Sequence, residues 1–243
     1  MVKLEEITFA YPKKQTLFRD INLTMLPGKI YGMLGKNGAG KTSLLRIICG
    51  LVRPNAGSCQ VCGLNPGQRQ QETLQEICYL PEEVFLPRCT GLQYKNFFSI
   101  LYPGFSSRLF NQLLDEFGIS IKSQLAELSL GCRKKFTLAF ALATQVKVLI
   151  LDEPSNGLDI PSKSQFRKII AQTMTEDQII LISTHQVRDL GPLFESFIFI
   201  DNGEIILHAD ISRISEVCRM HIGSPKSVSP VLASGVVSGK AAA

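Results

Sequence analysis

The first apolar run, Val2 to Phe9, has the character of a strand, and after Tyr11-Pro12 a second follows near Ile21 to Met25, closed by the turn residues Pro27-Gly28. The run Ile30 to Leu34 reads as a strand that enters a glycine-rich turn. From Lys41 to Cys49 the apolar residues then recur at helical spacing until Gly50 and Pro54 end the pattern. From about Pro87 to Ala143 the chain reads as helical. Phe97, Phe98, Leu101, Phe110, Leu113, Leu114 and Phe117 fall at three- and four-residue spacing there, which predicts core positions in an inserted helical subdomain. Val146 to Leu151 and Gln178 to Ser183 are compact apolar runs of the kind a parallel sheet buries on both faces. The helical stretch Pro161 to Met174 between them completes a βαβ unit.

Composition narrows the class of protein. Among 243 residues, 45% are hydrophobic and 19% charged, which excludes wholesale disorder. The net charge of +5 is scattered, with only short clusters such as Arg133-Lys134-Lys135, and predicts no nucleic-acid partner. Acidic residues follow Met1 at once, so the N-terminus lacks the apolar core of a signal peptide. No apolar run reaches the ~18 to 20 residues of a membrane-spanning helix. The expected location is the cytoplasm, unless a partner holds the chain at a membrane. Seven dispersed cysteines fit reduced thiols better than a disulfide framework. Cys59 and Cys62 have metal-ligand spacing but lack a second Cys or His pair, and read as two small side chains in a short strand between Gly57 and Gly63. Residues 223–243, rich in Ser, Gly, Pro and Ala, are expected to form a flexible tail.

The segment Gly35-Lys36-Asn37-Gly38-Ala39-Gly40-Lys41-Thr42 follows a predicted strand and opens a predicted helix, the context a phosphate-binding P-loop requires. Glycines let the backbone curl around an anion, so that N–H groups and the helix N-terminus converge on it. Lys41 adds a point charge against the β- and γ-phosphates, the Thr42 hydroxyl is a hard ligand for magnesium, and Ser43 stands beside it. Val148-Leu149-Ile150-Leu151-Asp152-Glu153 supplies the second element, an apolar strand ending in two acids, which is a Walker B pattern. Asp152 is placed to hold the metal, directly or through water, and Glu153 to face an attacking water.

With these motifs in place, the chain resembles the ABC ATPase family from about Val2 to Leu207. The discriminating feature is Leu128-Ser129-Leu130-Gly131-Cys132, which resembles the LSGGQ signature. Ser155-Asn156-Gly157-Leu158-Asp159 resembles the D-loop, His185 the switch histidine, and Tyr11 the aromatic that stacks on adenine. The resemblance is nearest to bacterial single-domain ATPases that serve exporter-type permeases. It implies an α/β fold: a P-loop NTPase core with a mainly parallel sheet, an N-terminal antiparallel β-subdomain and a helical subdomain at about 87–143, together forming one domain over residues 1–222.

The resemblance further implies ATP and Mg2+ as cofactors and a head-to-tail pair of such modules, a homodimer or a heterodimer. Ser129, Gly131 and Asp159 would then meet nucleotide across the interface, while Glu153, His185 and Lys41 carry the hydrolysis. A separate transmembrane permease would be the partner, holding the chain to the cytoplasmic face of the membrane. A soluble ATPase in an assembly process such as iron–sulfur cluster biogenesis is the alternative. Two departures from the family pattern stand out. Leu130 and Cys132 replace the usual glycine and glutamine of the signature, and the Q-loop position after Ile77-Cys78-Tyr79-Leu80-Pro81 is Glu82, a carboxylate that can still ligate magnesium but adds negative charge near the γ-phosphate.

Overall fold

A computed structural model describes residues 1–214; the segment 223–243 expected to be a tail, and the end of the domain expected at 222, lie outside the described residues. β1 (Val2–Ala10) alternates buried and less buried positions, as a strand with one face on a core should. It pairs antiparallel with β2 (Thr16–Met25) on one side and β4 (Ala56–Val61) on the other. Cys59 lies on β4, whereas Cys62 falls just beyond its end at a φ of 53°.

The second sheet has six strands in the order β5 (Ile77–Leu80), β6 (Val148–Asp152), β7 (Ile179–Thr184), β3 (Lys29–Leu34), β8 (Ser196–Asp201) and β9 (Glu204–Asp210). Pairings are parallel except between β8 and β9. β6 and β7 are buried at every position, which explains why their sequences run apolar without alternation.

That sheet is a wall between two cores. Leu149 and Leu151 point into one, Val148 and Ile150 into the other, because successive side chains leave a strand on opposite faces. The first core lies beneath α4 (Ser107–Glu116), α5 (Leu130–Ala143) and α6 (Ile160–Thr173). The second joins the antiparallel sheet to α1 (Lys41–Ile48). A one-turn helix, α2 (Gln71–Leu74), precedes β5, and another, α7 (Val187–Leu190), follows β7.

The inserted segment begins with α3 (Gly91–Phe98), whose start is fixed by a capping box: Thr90 accepts from the Gln93 N–H while Gln93 accepts from the Thr90 N–H. Phe110, Leu113, Leu114 and Phe117 are buried as their spacing predicts, and Phe98 packs partly against the core. Phe97 and Leu101 are not core residues: they are 69% and 53% exposed, beside Ile100 at 75%. The reason is local. Leu101 lies in the 3-10 turn Ser99–Leu101 that follows α3 and breaks the helical spacing, whereas Phe97 lies within α3 on its exposed face.

Candidate nucleotide site

The P-loop leaves the end of β3 and enters α1 at Lys41. Gly40, the residue before the helix, takes a φ of 104°, and a Cβ there would fall 2.5 Å from the Phe18 ring. A Cβ on Gly35 would come within 2.4 Å of the Ile200 carbonyl oxygen. Neither position tolerates a side chain, so the turn keeps its curl. No side chain caps α1, which leaves its first N–H groups available to an anion.

Lys41 is 6% exposed, and its Nζ donates to the carbonyls of Gly35 at 2.7 Å and Lys36 at 3.3 Å. The same Nζ lies 3.5 Å from Glu153 Oε1. Glu153 follows β6 with a φ of 45°, a left-handed backbone that a residue with a long side chain rarely adopts. The neighbouring strand holds it there, since the Glu153 N–H donates to both the Ser183 hydroxyl at 3.0 Å and the Ser183 carbonyl at 3.2 Å. His185, just past β7, places Nδ1 3.0 Å from Glu153 Oε2. Gln186 offers its amide nitrogen, which only donates, to His185 Nε2 at 3.1 Å. Glu153 Oε2 is buried and makes no hydrogen bond among the described residues, with His185 Nδ1 the ring nitrogen that stands against it.

Asp152 ends β6 at 2% exposure. The Ser183 hydroxyl donates to its Oδ1 at 2.5 Å and the Tyr79 hydroxyl to its Oδ2 at 3.2 Å. Burial, then the Asp152 charge itself, pushes the Tyr79 hydroxyl well above the usual tyrosine range, so it remains a donor. At the other end, the Tyr11 hydroxyl meets the Ser43 hydroxyl at 3.1 Å and the Tyr11 ring stands edge-on to Phe9, 4.8 Å between centroids.

The structure brings Tyr11, Asn37, Gly38, Gly40, Lys41, Thr42, Ser43, Glu82, Glu153 and His185 onto the wall of one cleft of about 490 Å³, a size suited to a nucleotide. Gly35, Ala39 and Asp152 stand off that wall. Sequence reasoning did not single out Lys14, Gln15, Leu17, Lys36 and Asn156, which also line it. Asn156 lies within the D-loop-like segment and could have been found there, whereas nothing in the local pattern marks Lys14 or Gln15. Ser129, Gly131 and Asp159 lie away from this cleft. Ser129 caps α5 by accepting from the Cys132 N–H at 3.3 Å, and Asp159 caps α6 by accepting from the Ser162 N–H at 2.9 Å. Leu130 is 58% exposed, with Cδ2 3.5 Å from where a Cβ on Gly157 would stand.

The Thr42 hydroxyl and the Glu82 carboxylate on the cleft wall, with Asp152 behind it, are hard oxygen donors of the kind a magnesium ion accepts alongside phosphate oxygens. Among the described residues no three His, Cys, Asp or Glu side chains cluster as a self-sufficient metal cage.

Residues 18–156 match the family described as ABC transporter. The chain is 32% identical over 206 residues to the ABC transporter ATP-binding protein NatA of Bacillus subtilis, covering 82% of this chain and 83% of that one. It is 30% identical over 214 residues to the lantibiotic transport ATP-binding protein SrtF of Streptococcus pyogenes, covering 86% and 91%. Among solved structures, the ATP-binding subunit of an ABC transporter superposes with a TM-score of 0.81 at 22% identity, over 90% of this chain and 94% of that one. A dimeric ATP-binding cassette in a post-hydrolysis state with ADP and Pi superposes with a TM-score of 0.75 at 20% identity, over 87% and 99%.

Proposed function

The chain belongs to the ABC transporter family, as an ATP-binding subunit and an ATPase, and from that premise we propose that two such modules close on ATP and pass the motion to a separate membrane permease. The observation that carries the reading is Gly131. A Cβ added there would meet nothing within 4 Å, so this chain's own packing gives no reason for a glycine. Gly131 is the second residue of α5, where glycine still loses more backbone freedom on folding than any other residue. A second surface that approaches the start of α5 closely supplies the missing reason, and the exposed Leu130 beside it fits a face that becomes covered.

In that pair, Ser129 and the N-terminus of α5 face the γ-phosphate bound by the partner module, and Asp159 approaches across the same interface. On its own side Lys41 exchanges its carbonyl partners for phosphate oxygens. Glu153, held at a fixed angle by Ser183, accepts a proton from the attacking water, and His185 orients Glu153 and the γ-phosphate. Thr42, Glu82 and Asp152 would hold Mg2+, which would neutralise charge on the phosphates. Tyr11 receives the adenine.

The permease side of the reading rests on the insert. Phe85 is 99% exposed, and Phe97, Ile100 and Leu101 are exposed in the same stretch between Glu82 and α4. No helix among the described residues is long and apolar enough to cross a membrane, and an exposed apolar stretch of this kind marks a surface that a partner covers. NatA and SrtF carry transport ATP-binding names, which favours a permease at the cytoplasmic face over an assembly scaffold.

The test is size-exclusion chromatography of the purified chain and of Glu153→Gln in ATP and magnesium. We expect the variant to lose at least about a hundredfold in turnover and to elute as an ATP-dependent dimer. Wild-type turnover by Glu153→Gln would remove Glu153 as the base. A variant that binds ATP yet stays monomeric would mean that a different subunit completes the pair.

A further inference from the structure

Lys134 lies on α5 and is 7% exposed, an unusual setting for an ammonium, and nothing in the hydrolysis described above employs it. Its Nζ donates to the Asn156 carbonyl at 2.6 Å. The Asn156 side-chain amide in turn donates to Glu82 Oε1 at 2.8 Å. Glu82, Asn156 and Glu153 all line the nucleotide cleft, and Glu82 and Lys134 also line a second pocket. Three segments that are remote in sequence therefore meet through one buried cation: the helix that Ser129 caps, the loop after β6, and the loop after β5.

We propose that Lys134 is a positioning residue for the nucleotide site, which holds Asn156 so that its amide fixes Glu82, and whose charge offsets the extra carboxylate standing at position 82. The inference rests on the reading of Glu82 as part of the nucleotide site. A carboxylate facing a triphosphate repels it, and the repulsion is strong in a partly dry cleft. Burial is the largest influence on Lys134 and lowers its pKa from the usual lysine range, with Glu82 and then Glu153 opposing that in part. The Lys134 ammonium, bonded to Asn156 and sharing a pocket with Glu82, sets a positive charge near the acids of the cleft wall and so lowers the net negative field that an incoming γ-phosphate meets.

The experiment measures binding of Mg·ATPγS to the full chain by calorimetry, which needs no partner and no turnover. The variants are Lys134→Gln, Glu82→Gln and both together, with Lys134→Arg as a charge-keeping control, and each is also scored for its thermal unfolding midpoint. We expect Lys134→Gln to weaken binding about tenfold and Glu82→Gln in the same chain to restore it to within about twofold of wild type, with Lys134→Arg between the two. A loss that is equal whether position 82 carries Glu or Gln, tracking the midpoint instead, would overturn the proposal and leave Lys134 a structural residue. If Glu82→Gln alone changes neither affinity nor its magnesium dependence, Glu82 leaves the nucleotide site and the proposal falls with that reading.

Discussion

Tyr11 shows how much a single residue reveals before its surroundings are known. Its type and its place after a strand suggest either packing or a platform for a base, and sequence alone does not choose between them. In the fold the hydroxyl is anchored on Ser43 and the ring edge on Phe9, yet the residue still lines the cleft. Removing the ring should therefore hurt more than removing the hydroxyl. Tyr11→Phe should keep ATP affinity within about twofold, and Tyr11→Ala should lose roughly three- to tenfold, the worth of an aromatic stack. Equal losses in the two, measured by nucleotide titration, would mean that the Ser43 contact matters and stacking does not. Most of the P-loop was legible because its residue types and spacing are contiguous in sequence, with Gly38 and Gly40 both at positive φ in the turn. The tie from Lys134 through Asn156 to Glu82 was not, because its members are brought together only by tertiary packing.

At the scale of elements, the uninterrupted apolar runs correctly announced β6 and β7, the helical period announced α1 and α4, and the stretch Pro161 to Met174 announced α6. The outer strands were read least well, and β5 entered only as the lead-in to position 82. β8 and β9 went unread although Asn202-Gly203, both at positive φ, form a turn signal between two apolar stretches. The failure at Phe97 has a different cause, since periodicity says which residues share a face but not what covers it. α3 is held at its start by the Thr90 and Gln93 exchange and along its length by Tyr94 and Phe98, which pack partly buried against the core. Thr90→Ala should accordingly cost about 1 kcal/mol and lower the melting midpoint by about 2–4 °C in a calorimetric scan. An unchanged midpoint would show that the capping box contributes nothing to folding.

For the whole molecule, the exposed apolar stretch of the insert is where an energy-supplying subunit would be joined to its load. Phe97→Asp together with Ile100→Asp should leave the circular dichroism spectrum unchanged, since both side chains are in water. It should abolish capture of a multi-span membrane protein by a photo-crosslinker placed at Leu101. Persistent capture would move the docking surface elsewhere. The two cores that the central sheet keeps apart bear on how such a chain can diverge. The packing that supports α1 and its grip on phosphate shares few side chains with the packing beneath the insert. Residues adjacent along β6 are strangers in space, and volume changes on one face need no compensation on the other. A lineage built on this plan can rewrite the side that meets its partner and inherit the motor side almost untouched.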